Sequence, residues 1–177
     1  MQLKKHNLIA PSTYQESLCL AFSNEVYQSN KEKYAERNKS DKDKIKSDIY
    51  KGKLAEYAVY NFLVANGKQV TSPDIMIYNK HDKSFGADLY VNKTSPLHIK
   101  SCMHVDTLNN SWLFQPNDPV TILPSEDDMI AFVIIKPDAT FYCYLARATE
   151  IIDIYSAPRN PLLRKKAIYE SSLIKLL

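Results

Sequence analysis

The stretch 85–102 constrains the fold more than any other part of the chain. It contains two short β-like runs on either side of a polar turn at 92–96, a pattern typical of a β-hairpin. Asp88 lies near the start of the first run, and the alternation of an extended strand places His98 and Lys100 on one face of the second. Because charged side chains are rarely buried in a sheet without partners, we interpret this acid, imidazole and ammonium as a candidate site.

The composition is that of an ordinary folded domain with a mild positive charge. The chain has 177 residues, of which 45% are hydrophobic and 24% charged, and its formal net charge is +3. One domain of this length buries a substantial core. The charge permits a nucleic-acid partner without arguing for one. Only three glycines occur, which excludes a glycine-rich phosphate loop.

The cysteines and the hydropathy pattern favour a soluble, cytoplasmic protein. Cys19, Cys102 and Cys143 are an odd number at wide spacings, which suits reduced thiols and lacks the paired spacing of a zinc site. No apolar run approaches the roughly 20 residues that span a bilayer, and no apolar signal-peptide region follows the basic start. We therefore expect no membrane partner.

Residues 41–65 have the pattern of a long helix with one acidic residue in its apolar stripe. Apolar side chains recur at spacings of three and four, and Asn66-Gly67 provides an end signal. Glu56 lies in the middle of the stripe. A glutamate there is costly unless it is paired, bound to a metal or solvated in a cleft. Glu56 is therefore either a structural ion-pair partner of a buried lysine or arginine, or a functional carboxylate.

The remaining segments predict an α/β fold, a single domain over 1–177 with a central mixed sheet flanked by helices. A helix that runs to about Ser29 would be capped by Ser12 or Thr13, and Glu16, three positions after Thr13, would complete a capping box. The mixed charges of 31–44 favour a solvated helix or linker over a DNA-binding strip. Further segments follow from the apolar patterns: strands at 69–78, 87–91, 97–103, 129–135 and 141–145, and a short helix at 148–155.

The order of these parts resembles that of a known superfamily. A helix glutamate precedes a strand, a strand that opens with an aspartate, and a strand that carries a lysine. This layout resembles the PD-(D/E)XK phosphodiesterases, which include restriction endonucleases and Holliday-junction resolvases. The matching motifs lie within about 45–103: Gly52-x-x-x-Glu56, Gly86-Ala87-Asp88 and Leu97-His98-Ile99-Lys100. The resemblance implies a restriction-endonuclease-like core within about 45–145, between helical extensions.

The resemblance also implies the chemistry of the site. Asp88 would be the central metal-ligating carboxylate, the backbone carbonyl of Ile99 a second ligand, and Glu56 a ligand directly or through water. Lys100 would orient the attacking water and stabilise the transition state as a point charge. The implied cofactor is Mg²⁺, which prefers oxygen ligands and lowers the pKa of a bound water.

One position departs from the pattern of the superfamily. His98 stands where an aspartate or glutamate is expected. Imidazole is a poor ligand for Mg²⁺ and a better one for Mn²⁺ or softer metals. His98 is therefore a ligand in a site that prefers Mn²⁺, a general base beside a one-metal site, or a sign that catalysis has been lost.

Several further residues are weaker candidates. Asp74 is the alternative to Asp88 as metal ligand, although only Asp88 directly precedes the His98-Lys100 strand and follows a glycine. Gln115 resembles an accessory catalytic glutamine of some branches and is equally well an ordinary strand residue. Basic residues that border the site would contact DNA phosphates: Lys51, Lys53, Arg159, Arg164, Lys165 and Lys166.

We therefore expect a metal-dependent endonuclease that cleaves or nicks duplex DNA, in a setting such as restriction, phage or mobile-element conflict. A monomer would nick, whereas a homodimer could cut both strands. The alternative is a catalytically inactive nuclease-like module that binds DNA or protein. In a third class, a small-molecule enzyme or an assembly protein, Glu56, Asp88 and Lys100 would form a buried ion-pair network.

Overall fold

The computed structural model describes residues 4–36, 41–78, 86–104, 110–116, 118–159 and 165–176. The helices are α1 (Thr13–Ser29), α2 (Lys31–Glu36), α3 (Lys42–Ala65), α4 (Pro119–Ile122) and α5 (Glu170–Ile174), with a 3-10 helix at Ala148–Ile154. The strands are β1 (Lys5–Asn7), β2 (Leu89–Val91), β3 (Ser95–Met103), β4 (Ser111–Phe114), β5 (Met129–Ile135), β6 (Phe141–Arg147) and β7 (Lys166–Tyr169).

Five of the strands form one mixed sheet in the order β1-β6-β5-β3-β2. The hairpin β2–β3 is antiparallel, with Leu89 opposite Leu97, and its turn contains Asn92 and Lys93 in the left-handed region. Strand β3 is parallel to β5, whereas β6 is antiparallel to both β5 and β1. The predicted α/β class with a central mixed sheet is therefore confirmed.

Helices α1 and α3 pack on one face of this sheet. Helix α3 begins after the N-cap Asp41 and ends at Asn66-Gly67, where Gly67 has a φ of 73°. Its side chains Ala55, Ala58 and Val59 pack against sheet residues in one apolar core. The predicted helix 41–65 and the burial of Glu56 on its packing face are thus confirmed.

A smaller layer covers the opposite face of the sheet. Strands β4 and β7 form a two-stranded antiparallel sheet, and they pack with the 3-10 helix and α5 in a second apolar core. Strand β5 contributes to both cores, since Ile130, Phe132 and Ile134 face this layer whereas Ala131 and Val133 face the helices. The predicted buried strand at 129–135 is confirmed.

Two local predictions are wrong. The strand expected at 69–78 is reduced to one bridge between Val70 and Val91, because Pro73 lacks an N–H and the side chains that follow it lie at the surface. Helix α1 has Ser12, one of the two predicted caps, as its N-cap, but Gln15 rather than Glu16 completes the capping box, so that part of the prediction is wrong.

Two further expectations concern the charged segment 31–44 and the absence of a membrane-spanning helix. Exposed residues dominate α2, as expected for a solvated helix, and residues 37–40 lie outside the described part. Among the described helices, none combines the length and apolar character that a membrane span requires.

Candidate active site

Glu56 is a buried carboxylate on the inner face of α3. Its side chain projects into the layer between the helix and the sheet, where the residue is 8% exposed. Burial raises the pKa of Glu56 to about 8, and the nearby charge of Asp88 adds to the rise, although Lys53 acts against it. A buried carboxyl whose pKa is raised and that has other charged side chains nearby is typical of functional sites.

Lys53 is the direct partner of Glu56. Its Nζ donates a hydrogen bond of 2.6 Å to Oε2 of Glu56, across three positions of the same helix. The lysine side chain is 13% exposed, and its ammonium also lies 4.9 Å from the centre of the Phe22 ring on α1. The ion pair that the sequence suggested as one explanation of Glu56 is therefore present in the structure.

Asp88 binds the backbone of the neighbouring strand. Its Oδ2 accepts a 2.6 Å hydrogen bond from the amide of Ile99. The ladder of the hairpin pairs Leu89 with Leu97 and ends there, so the position opposite Ile99 is Ala87, outside β2. The carboxylate thus takes the place that a strand carbonyl would otherwise fill.

The same geometry brings the Ile99 carbonyl toward Asp88. In an antiparallel pair, a residue exchanges both its N–H and its C=O with the residue opposite, so both groups point to one edge of the strand. Since the Ile99 amide points to Asp88, the Ile99 carbonyl points to the β2 side as well. Asp88 and this carbonyl therefore lie at the open end of the hairpin, and the charge of Asp88 acts on the nearby Glu56.

His98 and Lys100 face the other way. Leu97 and Ile99 pack with the α3 layer. Because side chains alternate along a strand, His98 and Lys100 point to the smaller layer. Lys100 Nζ donates to Asp118 Oδ2 at 2.7 Å and lies 5.1 Å from the centre of the Phe114 ring. His98 Nε2 lies 3.8 Å from Asp128 Oδ1.

The structure therefore groups the predicted residues in two places. Glu56 lies on the α3 side with the charge of Asp88 nearby, whereas His98 and Lys100 lie beside carboxylates on the side of the smaller layer. Their catalytic and metal-binding roles stay predictions.

The weaker candidates lie around these two groups. Asp74 is exposed and already binds the Met76 amide at 2.9 Å and the Tyr78 hydroxyl at 2.6 Å, although its charge contributes to the raised pKa of Glu56. Gln115 is exposed directly after β4, and its carbonyl accepts from the amide of Asp118 at 3.1 Å.

The predicted DNA-binding residues fall on both sides of the sheet. Lys51 lines a cavity of about 180 Å³ with Ser101 and Met103, on the α3 side. Arg159 lies over the Tyr169 ring at 5.4 Å, and Lys166 over the Tyr155 ring at 5.2 Å, in the smaller layer. Lys165 is half-buried beside β7, and Arg164 lies outside the described residues.

The donor set fits a hard cation better than a soft one. Within the described ranges, no three His, Cys, Asp or Glu side chains converge to form a ready-made metal cage. Two carboxylates and a carbonyl nevertheless suit Mg²⁺, which is commonly bound by one or two carboxylates and keeps water and substrate phosphate in its other positions. His98 lies beside Asp128 on the other face, so the ligands considered at Glu56, Asp88 and the Ile99 carbonyl are oxygen atoms.

Sequence reasoning missed the partners of the charged residues. The spacing of Lys53 and Glu56, three positions apart on a predicted helix, was a readable signal for their contact. Asp118 was also readable in part, because an aspartate before a proline often begins a helical turn, as it does before α4. Nothing local in the sequence indicated that Asp118 would bind Lys100, 18 residues away.

The fold is that of an α/β domain with a candidate carboxylate site, Glu56 and Asp88, at the open end of a β-hairpin. No family model, curated protein or solved structure matches the chain.

Proposed function

We propose that this protein is a metal-dependent hydrolase of phosphodiester bonds in nucleic acid, with duplex DNA as its substrate. The observation that carries the proposal is the buried Glu56 beside Asp88 and Ile99 at the end of the hairpin. The order of helix α3 and hairpin β2–β3 also supports it, because it agrees with part of the order that the sequence resemblance implies; the strand expected between them at 69–78 is reduced to one bridge.

Each residue has a defined task in this proposal. Asp88, Glu56 and the Ile99 carbonyl would hold a Mg²⁺ ion, which when bound neutralises charge on the phosphate and acidifies water. Asp88 is fixed for this by its bond to the Ile99 amide. Glu56 has a pKa of about 8, so its carboxylate can accept a proton from the attacking water at alkaline pH.

The direct test is cleavage of supercoiled plasmid in Mg²⁺ and, separately, in Mn²⁺. Wild-type protein should produce nicked circles if it acts as a monomer, and linear DNA if it acts as a dimer. Glu56→Gln and Asp88→Asn keep size and shape but remove the carboxylate charge, so each should lower the cleavage rate by about a hundredfold or more. Melting temperatures measured alongside should show that both variants stay folded.

Glu25 on α1 provides a matched control. It is exposed on the outer layer, and Glu25→Gln should cleave at the wild-type rate. Wild-type protein that leaves the plasmid intact with both metals, or site variants as active as wild type, would contradict the proposal.

A second function is favoured by a different observation. Lys100 and His98 are both paired with carboxylates on the opposite face from Glu56, as expected of a nuclease-like module that binds DNA or protein without cutting it. A retained mobility shift on duplex DNA without any cleaved product would establish that function instead. Lys51→Ala should then weaken the shift and its dependence on salt.

A further inference from the structure

We propose that Lys53, rather than Lys100, provides the ammonium group that acts together with the carboxylates of Glu56 and Asp88. This proposal rests on the proposed function. The two lysines differ in what their ammonium groups bind. Lys53 Nζ lies 2.6 Å from Glu56, whereas Lys100 Nζ lies 2.7 Å from Asp118 on the opposite face of β3.

The packing of Lys53 suits a movable point charge. Its ammonium has three N–H donors, of which Glu56 uses one. The ring of Phe22 supports the ammonium from the α1 side at 4.9 Å. A lysine ammonium on a flexible stem can exchange one oxygen partner for another, so it can turn from Glu56 to a phosphate oxygen without repacking the helix.

Lys100 lacks this freedom with respect to the carboxylate site. The alternation of β3 directs it into the smaller layer, where Asp118 and the Phe114 ring hold it. To reach Glu56 it would have to break its ion pair and pass to the other face of the sheet. Lys100, the lysine that the sequence resemblance assigns to the site, therefore lies on the opposite face of the sheet, and helix α3 provides Lys53 instead.

In the reaction, Lys53 transfers no proton. The oxygen of water bonds to phosphorus, one ester P–O bond breaks, and the water gives one proton to Glu56. The leaving oxygen gains a proton from solvent, so the products are a phosphomonoester and an alcohol. Negative charge increases on the phosphoryl oxygens during this step, and the Lys53 ammonium stabilises it.

Two substitutions separate this role from a merely structural ion pair. Lys53→Met removes the charge and should lower kcat by about a hundredfold. Lys53→Arg keeps the ion pair with Glu56 but replaces the compact ammonium with a planar group, so kcat should fall about tenfold while KM and the melting temperature stay at wild-type values. A structural pair would lose nothing in the arginine variant.

Lys46 is the matched control on the same helix. Its Nζ contacts Asn24 at 2.5 Å and lies 5.5 Å from the centre of the Tyr27 ring on α1, so it repeats the packing of Lys53 away from the carboxylates. Lys46→Met should leave kcat unchanged. Calorimetric titration with Mn²⁺ and no DNA gives a second readout: Lys53→Met should bind the ion at least as tightly as wild type, because Glu56 is released from its ammonium.

The outcomes distinguish the two proposals. If Glu56→Gln and Asp88→Asn abolish cleavage but Lys53→Arg and Lys53→Met cleave like wild type, the role of Lys53 is overturned and the hydrolase stands. The same holds if Lys100→Met lowers kcat and Lys53→Met does not. If wild-type protein does not cleave, both proposals fall. Should the methionine variant be unfolded, the arginine variant alone decides, because it keeps the pair.

Discussion

The ionisation of Glu56 depends strongly on the fold. It sits between α3 and the sheet, with Lys53 as its ion-pair partner and the charges of Asp88 and Asp74 nearby. Burial disfavours its charged form, and the two aspartates add to that effect, so the pKa rises from 4.5 to about 8. A raised carboxyl pKa means that the folded state holds this proton more tightly than the unfolded state does.

The consequence is a stability that falls as the pH rises. Below the unfolded pKa of 4.5, both states hold the proton and the contribution is fully present; above about 8 it is lost. Between these values, the free energy of unfolding of wild type should fall relative to Glu56→Gln by up to about 1.4 kcal/mol per pH unit. Urea unfolding at pH 5, 6, 7 and 8, roughly spanning this window, measures the difference.

The comparison between variants isolates the glutamate from other titrating groups. The exposed Glu25→Gln substitution should give a difference that does not vary with pH over the same range. If the Glu56→Gln difference were also constant, Glu56 would ionise normally and its pairing with Lys53 would outweigh its burial.

At the scale of elements, local signals determined what could be predicted. The bounds of α3 follow from Asp41 and Asn66-Gly67, whose capping interactions lie within one turn. The hairpin and the buried strand β5 followed from alternation and from a run of apolar residues. The segment 69–78 has enough apolar residues for a strand. Whether it pairs as one also depends on Pro73, which lacks an N–H, and on whether another element covers one face of the segment.

The site was predictable only where an element positions a residue by itself. Glu56 could be predicted from the helical period, because its position on the packing face is a property of α3 alone. The shared face of His98 and Lys100 followed from alternation in the same way. That face could meet either the α3 layer or the smaller layer, depending on how β3 packs against α3 and β4. The sequence pattern of β3 is the same in both cases.

The hairpin gives a prediction that separates the structural role of Asp88 from its charge. Asp88→Ala leaves the Ile99 amide without its 2.6 Å acceptor and should lower the free energy of unfolding by about 1–3 kcal/mol. Asp88→Asn keeps an oxygen acceptor in the same place, so it should be more stable than the alanine variant while still lacking cleavage. Equal stability of the two variants in urea would show that the bond to Ile99 contributes little.

The whole molecule is held together by β5 and by a buried polar cluster. Alternate side chains of β5 enter the two apolar cores, so neither layer can separate without disrupting the strand that both share. In the smaller layer, the Glu170 carboxylate accepts a 2.7 Å hydrogen bond from the Tyr144 hydroxyl of β6 and another from the amide of Asn110. This cluster connects α5 to the central sheet.

Unfolding should therefore be a single transition. The chain has one tryptophan, Trp112 on β4, whose Nε1 donates to the Val133 carbonyl of β5 at 3.0 Å. Its fluorescence reports on the contact of the smaller layer with the sheet, whereas far-ultraviolet circular dichroism is dominated by α1 and α3. In urea the two signals should change at the same midpoint.

Tyr144→Phe tests the coupling of the layers. It removes a donor from the buried Glu170 and should lower the free energy of unfolding by about 1–3 kcal/mol. Because β5 joins both cores, the fluorescence and dichroism midpoints should move down together. Tyr90→Phe, on the exposed edge strand β2, should leave both midpoints unchanged. A fluorescence transition that precedes the loss of helical signal would instead show that the smaller layer unfolds on its own and that β5 does not couple the two cores.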